Sequence, residues 1–489
     1  MGNQNGTSSR EAKLSKTNIN RYLYWLFLVF FPLLPTGLIF YLWLNQPQNQ
    51  LDTLWVTKSV WLKFTGFIPL FWISLNFLGL LGGYPSNLKL ISDADWCWDQ
   101  QVLLIVSYVS KGNNQKALYR SLLKTQKILD STYTRYEIEI VTDIEVPNEA
   151  RILATKGSIY YYLVPPSYET NTKVKYKARA LQYRLEQRAV RLSKDDEIDV
   201  QNIDVWVLHL DEESIITSQA IVGIKDFIEK YSLRKSNGAI GQGEILYNSY
   251  NYGKNILITA MDSIRTGEDL GRFRFQYKIL NKPVGGIHGS YILMPARIEK
   301  AMGWDWGSKS ILTEDSYFGL KAMERNIKFD WVNGFIKEQS PFSIGDIIKQ
   351  RMRWYTGISL IVTDISLKFS SRIILMLFLI SWTLSGIISV LLITTIIVIL
   401  YTNERLFPFW MVMITPWTTG VAGSIYMIGL LRNLTYWNAP FWKKLYIGLA
   451  TYILWFFQIL SLVEAVAVLY AIYRAIFRPL KDFPIVDKD

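Results

Sequence analysis

Five long stretches of the chain carry no charged side chain: Tyr22–Leu44, Phe64–Gly83, Ile373–Thr402, Leu406–Leu431 and Leu445–Val463. About 20 apolar residues cross a bilayer as a helix, so each stretch is long enough to span one. Pro32, Pro35 and Pro69 lie inside them as kinks that a helical bundle tolerates. Tyr22, Trp25, Tyr41 and Trp43 mark the two ends of the first stretch, as an interfacial aromatic belt does. That stretch exceeds the ~7–15 apolar residues of a secretory signal. Gln46-Pro47-Gln48-Asn49-Gln50 follows it in place of a small-residue cleavage site, which predicts a retained anchor.

Between the second and third stretches the pattern changes. Gln101–Val109 reads as a short buried strand closed by Ser110-Lys111-Gly112-Asn113-Asn114. A helical stretch, Ala117–Leu129, leads to a second strand, Tyr136–Val141, which ends at Thr142-Asp143. Another apolar run, Ile159–Val164, precedes a basic helical segment, Val174–Leu192. Asp204–Asp211 is then a buried strand running into Glu212-Glu213. Strands alternating with helices predict an α/β, Rossmann-like domain with a mostly parallel sheet covered on both faces. Such sheets bind ligands at the carboxyl ends of their strands, where Ser110–Gly112, Asp143 and Asp211–Glu213 fall. No internal repeat or low-complexity tract interrupts this region.

Composition narrows the class. Half of the residues are hydrophobic (50%) and 19% are charged, which excludes a disordered chain. A single cysteine, Cys97, excludes an intrachain disulfide framework, and two histidines argue against a structural zinc site. The net charge of +12 comes from basic residues that flank the apolar stretches, and no nucleic-acid-binding module is present, so nucleic acid is not an expected partner. Arg10, Lys13, Lys16 and Arg21 predict a cytoplasmic amino-terminal tail. Two crossings then return the chain to the cytoplasm. The expected order is a tail over 1–21, two transmembrane helices over 22–83 and a cytoplasmic catalytic domain over 84–342. An amphipathic interface helix over 343–371, transmembrane helices over 372–474 and a tail over 475–489 complete it.

The carboxyl-terminal crossings admit two arrangements. A single crossing from Leu445 would leave Arg474, Arg478 and Lys481 outside, so Leu445–Tyr473 either makes a broken hairpin or lies partly flat in the interface. Glu464 within it is costly at mid-membrane unless it faces protein or water. Asn5-Gly6-Thr7 and Asn433-Leu434-Thr435 match the glycosylation pattern but face the cytoplasm in this topology.

Three constellations carry candidate chemistry. Asp211 and Glu213 stand two residues apart past a strand and offer hard oxygen ligands to Mg2+ or Mn2+; a helix start capped by Ser214 or Thr217 would use the same residues. Glu314-Asp315 provides a general base, or the first turn of a helix capped by Thr313. Gln350, Arg353 and Trp354 lie on an amphipathic segment from Ser343: the guanidinium suits a diphosphate and the indole a sugar ring, while the same stripe also suits anionic lipid. Lys177 and Arg179 face either the ligand edge or solvent. His209 packs in its strand. His288, Gly289 and Ser290 belong to a glycine-rich approach to a strand, where a backbone comes close to a ligand or makes a bulge.

The order of strand-end acid, acid triplet, Glu-Asp pair and Gln-x-x-Arg-Trp resembles the inverting family 2 glycosyltransferases of GT-A fold, over Trp98–Ile358. Tyr176–Tyr183, Trp206–Thr217, Thr313–Asp315 and Glu338-Gln-Ser-Pro-Phe342 are similar to the Egghead-type β-1,4-mannosyltransferases. The resemblance implies transfer of mannose from GDP-mannose to a lipid-linked sugar at the cytoplasmic face of a membrane: plasma or inner membrane, endoplasmic reticulum or Golgi. It implies that Asp143 contacts the nucleotide base, and that Lys177 and Arg179 line the diphosphate pocket. Asp211 and Glu213 would hold a divalent metal, Mn2+ or Mg2+, with Glu213 standing where many relatives carry Asp. Asp315 would be the base beside Glu314, and Gln350, Arg353 and Trp354 would close over diphosphate and acceptor. His288, Gly289 and Ser290 would join Trp354 around the acceptor sugar. Two other readings compete. A processive polysaccharide synthase using a UDP-sugar shares these motifs, although five apolar stretches are few for a channel. A non-catalytic membrane scaffold would keep the fold alone.

Overall fold

The computed structural model describes residues 4–45, 68–85, 97–132, 134–145, 159–194, 203–232, 238–306, 312–402 and 409–477. It contains a sheet covered on both faces, in which 102–106, 205–208 and 292–295 are continuous apolar runs. On β1 (Val102–Ser110), Leu104, Val106 and Tyr108 join one core cluster, while Leu103 and Ile105 join another. The period of two along one strand thus fills both layers. The remaining strands are β2 (Tyr136–Thr142), β3 (Ile159–Leu163), β4 (Asp204–Asp211), β5 (Ile240–Leu246), β6 (Ile292–Pro295) and β7 (Phe329–Lys337). Their order is β3-β2-β1-β4-β6-β5-β7, and only β6 runs antiparallel to its neighbours. The mostly parallel sheet expected from the alternation is present, with one reversed strand, and is GT-A-like as the resemblance implied.

Register aligns the strand ends. Ser110 pairs with Thr142 and Val109 with Asp211, so β1, β2 and β4 finish at one edge. Because β6 is reversed and Ile292 pairs with His209, residues 289–291 enter the sheet at that same edge. The helices of this layer are α3 (Gln115–Ser131), α4 (Tyr176–Lys194), α5 (Ser218–Tyr231), α7 (Arg274–Lys278), α8 (Ala296–Met302), α9 (Glu314–Glu324) and α10 (Ile344–Thr363).

The chain divides into two compact units. The sheet belongs to Asn87–Tyr252, Phe273–Leu379 and Ala467–Asp489; the other unit comprises Met1–Ser86, Gly253–Arg272 and Ile380–Val466. The second contains α1 (Gln4–Leu44), α2 (Ile68–Leu80), α6 (Ile256–Glu268), α12 (Phe409–Thr435), α13 (Phe441–Phe456) and most of α11 (Phe369–Thr402). Gly267 lies directly on the Ile425 carbonyl and Gly429 on that of Ser263, the close backbone approach that small residues permit. Trp72 Nε1 donates to Glu268 Oε1 (2.9 Å), and the Arg272 amide donates to Asn76 Oδ1 (3.1 Å), tying α2 to the 253–272 segment.

Among the described residues, three helices are long and apolar enough to cross a membrane: Asn18–Leu44, Phe369–Val390 and Ile459–Phe477. Of the Phe64–Gly83 stretch, 64–67 lies outside the described residues and Ile68–Leu80 is a shorter apolar helix. The Leu445–Tyr473 segment is broken: α13 ends at Phe456, Gln458 takes φ +60, and α14 runs over Ile459–Phe477. Glu464 faces protein, accepting the Trp382 indole N–H at 3.2 Å.

Candidate active site

Four separate segments bring their polar groups to the edge where β1, β2 and β4 end. The first turn of α4 delivers Lys177, whose Nζ lies 2.6 Å from Asp211 Oδ1 and 3.6 Å from Glu314 Oε1. The same ammonium donates to the Gly289 carbonyl at 3.2 Å. Tyr176, just before it, holds φ +59, a costly backbone state of the kind that clusters at functional sites. A Cβ on Gly289 would lie 2.8 Å from Asp315 Oδ2, 3.0 Å from Lys177 Nζ and 3.7 Å from Asp211 Oδ2. Asp211, Glu314, Asp315, Lys177 and Gly289 are therefore one cluster.

Two of the alternative local readings are resolved by this geometry. Thr217 caps α5 by accepting the Ala220 amide at 3.1 Å, which leaves Asp211–Glu213 in the turn before the helix and not in its first turn. Glu314 and Asp315 do occupy the first turn of α9, but Thr313 makes no capping hydrogen bond. The Asp315 carboxylate instead accepts its neighbour's amide, Ser316 N, at 2.7 Å.

The electrostatics suit proton transfer. Burial pushes the Asp315 carboxyl up, and the Glu314 carboxylate adds to the shift; Lys177 and the Ser316 amide oppose it, leaving the group at about 7. Burial works against a charged Lys177, but Asp211, Glu314 and Asp315 outweigh it and raise its pKa. Asp143 is also raised by burial, against the Arg179 and Lys111 charges.

The other expected site residues fall into smaller groups. Arg179 Nη1 lies 3.8 Å from Asp143 Oδ1, while its guanidinium also donates to the Pro165 (2.7 Å) and Tyr168 (3.1 Å) carbonyls. His288 packs its ring 4.1 Å from that of Phe273, and its amide donates to Gln242 Oε1 at 3.1 Å. On α10, Ser343 caps the helix by accepting the Asp346 amide at 3.1 Å. Gln350 is buried with Oε1 lacking a hydrogen-bond partner among the described residues, and the Arg351 guanidinium sits 4.5 Å from the Trp354 ring centre. Gly357, one turn after Arg353 and Trp354, presses on Thr313: a Cβ there would meet Thr313 Cγ2 and Oγ1 at 2.6 Å. That contact brings the helix bearing Gln350, Arg353 and Trp354 against the start of α9.

Beneath the cluster lies a fully buried ionic network. Arg188 of α4 binds Glu139 of β2 through Nε (2.9 Å) and Glu299 of α8 through Nη1 (2.5 Å), and Arg184 pairs with Glu299. His209 Nε2 (3.0 Å) and Trp304 Nε1 (2.9 Å) complete the shell of Glu299 Oε1. Burial pushes His209 down to about 4, so it is neutral at pH 7 and packs within its strand as the sequence suggested. Arg191 joins Arg188 on Glu139 (3.0 Å) and pairs with Glu137 (2.7 Å), so three arginines balance three carboxylates, and α4 is held on the sheet at the register that aims Lys177 at Asp211.

The signature of Glycosyl transferase family group 2 matches residues 206–477. The β-1,4-mannosyltransferases of Caenorhabditis briggsae and Caenorhabditis elegans are each 30% identical over 341 residues, 69% of this chain and 70% of theirs. That of Drosophila melanogaster is 29% identical over 342 residues, again 69% of this chain and 70% of its own. The chain belongs to glycosyltransferase family group 2. Among solved structures, the transferase is similar to a mannosyltransferase of Pyrobaculum calidifontis in complex with GDP-Man and Mn2+, at 12% identity over 86% of this chain and 99% of that one, with a TM-score of 0.43.

Among the described residues no group of three or more His, Cys, Asp or Glu side chains converges on one point. Asp211 and Glu213 are partly exposed carboxylates, and two such oxygen donors are the number that would hold Mg2+ with phosphates and water completing the shell. The middle acid is committed elsewhere: Glu212 accepts from Ser110 Oγ and Asn114 Nδ2, clamping the β4 turn to the loop after β1. Sequence reasoning missed this clamp and the Arg184–Arg188–Glu139–Glu299 network. The only sequence signal for the network is a pair of arginines four residues apart on α4.

Proposed function

We propose that this glycosyltransferase moves mannose from GDP-mannose onto a lipid-linked sugar, inverting the anomeric centre to give a β-glycoside, at the cytoplasmic face of a membrane. The kinship with β-1,4-mannosyltransferases supports the donor, and the helices long enough to span a membrane support a lipid acceptor. The observation that carries the chemistry is the Asp315 carboxylate, tuned to about 7 and opposed across Gly289 to Asp211 and Lys177. A general base works best with a pKa near the operating pH.

In this reading Asp315 takes the proton of the acceptor hydroxyl. The acceptor oxygen bonds to the anomeric carbon from the face opposite the nucleotide, the bond from that carbon to the diphosphate oxygen breaks, and GDP departs with the electron pair. Asp211 and Glu213 would hold Mn2+ or Mg2+, which when bound neutralises charge on the departing diphosphate. Lys177 and Arg353 add fixed positive charge there. Asp143 and Arg179 sit at the nucleotide end, Gln350 with Arg353 and Trp354 closes over the donor, and Trp354 with His288 and Gly289 borders the acceptor sugar.

The test is nucleotide release by the detergent-solubilised protein with Mn2+, across GDP-mannose, UDP-glucose, UDP-galactose and UDP-GlcNAc, with total lipid as acceptor and Asp315→Asn in parallel. Lipid-dependent release from GDP-mannose alone, lost in the variant, is the expected result. Release from a UDP-sugar with a polymeric product would instead make the protein a processive synthase, and no release from any donor would sink the catalytic reading.

A further inference from the structure

A chain of buried hydrogen bonds behind Asp211 has a fixed direction. The Asp211 amide donates to Ser290 Oγ (3.3 Å), Ser290 Oγ lies 2.8 Å from Ser214 Oγ, and Ser214 Oγ donates to Glu338 Oε1 (2.9 Å). An amide can only donate and a carboxylate can only accept, so both hydroxyls are oriented: Ser290 donates to Ser214, and Ser214 to Glu338. Ser214, Ser290 and Glu338 are 0%, 1% and 3% exposed, so none of the three opens to solvent. Glu338 is anchored at its backbone as well, its amide on the Leu246 carbonyl (2.9 Å) and its carbonyl on the Ser249 amide (3.1 Å). The turn closes where the Ser214 amide donates to the Asp211 carbonyl at 3.0 Å.

A buried carboxylate is costly unless its hydrogen bonds are made, and an apolar residue there would pack at no such cost. Glu338 stands at the exit of β7, Ser214 past β4 and Ser290 at the entry to β6, so the chain joins three strand ends at a single point. We propose that Glu338 is a positioning residue: through Ser214 and Ser290 it fixes the turn that presents Asp211 to the metal and diphosphate. The inference rests on the reading of Asp211 as a metal ligand. It also gives the Ser290 hydroxyl a structural duty in place of contact with the acceptor sugar.

Partners that orient metal ligands typically contribute a factor of about 10–100 in metal affinity. The experiment titrates Mn2+ into the full-length protein in the presence of GDP, following free Mn2+ by electron paramagnetic resonance. Melting curves establish that each variant is folded. Asp211→Asn is expected to abolish tight binding. Ser214→Ala and Glu338→Ala are each expected to raise the Mn2+ dissociation constant on the order of tenfold. The double variant should be no worse than either single change, because both break the same chain. Glu338→Gln keeps an acceptor oxygen for Ser214 and should bind like the parent. Unchanged affinity in Ser214→Ala, with Asp211→Asn impaired, overturns the relay alone. Glu338→Gln as weak as Glu338→Ala also overturns it, since charge and not acceptance would then be what matters. Unchanged affinity in Asp211→Asn overturns the metal reading and the inference together.

Discussion

Gly289 stands where any side chain would collide with Asp315: its Cβ would lie 2.8 Å from Asp315 Oδ2. The atoms in the way are the tips of Asp315 and Lys177, which swing aside without disturbing the core. Gly289→Ala is therefore expected to leave the melting temperature in place while displacing the base. A misplacement of about 1 Å costs on the order of 100-fold in rate. Steady-state kinetics beside a melting curve check both halves, and a fall in both together would contradict the argument.

Removing the base itself is more severe. Asp315→Asn keeps the shape and the acceptance of the Ser316 amide but takes no proton, so kcat should drop by roughly 100- to 10,000-fold. Binding of GDP with Mn2+ should survive, which calorimetry on the variant can measure.

The pH profile follows from the same carboxyl. A raised pKa means that Asp315 holds its proton up to about 7 and is an active base only above it, so kcat/KM should climb through that region as pH rises. Lys177 opposes this protonation, so Lys177→Met should move the acidic limb to higher pH as well as weaken donor binding. A limb that stays in place would show that Lys177 is not felt by the base.

Glu299 is tested through stability. Its carboxylate, held well below the usual range by Arg184 and Arg188 against its burial, serves both arginines, His209 and Trp304. Glu299→Ala leaves uncompensated buried charge, which typically costs about 3–5 kcal/mol. Thermal or denaturant melts in detergent should show a loss of that size, and retention of parental stability would disprove the stabilising role of the network.

Gly357 makes a contrasting case. Its Cβ would meet Thr313 Cγ2 and Oγ1 at 2.6 Å and Thr313 Cβ at 3.1 Å, and a β-branched residue has little freedom to turn away. Gly357→Ala must shift α10, so activity and melting temperature should fall together, unlike the Gly289 change.

The sequence determined what short-range pattern can determine. Short apolar runs marked β1 and β4, and helical patterns marked α4 and α10, because these signals arise within a few residues. The strand-end position of Asp211 was legible for the same reason. Only the tertiary structure decided what meets what. The four-residue β6 is too short to show a period, yet its reversed run is what carries Gly289 and Ser290 to Asp211. Lys177 and Asp211 are 34 residues apart, and Ser214 and Glu338 are 124 apart; sheet register brings each pair together. The grouping of Gly253–Arg272 with the apolar helices likewise comes from glycines that meet the backbone of α12. Burial is a property of the assembled layers, so neither the pKa of Asp315 nor the enclosure of Arg184 and Arg188 could be read from the order of residues along the chain.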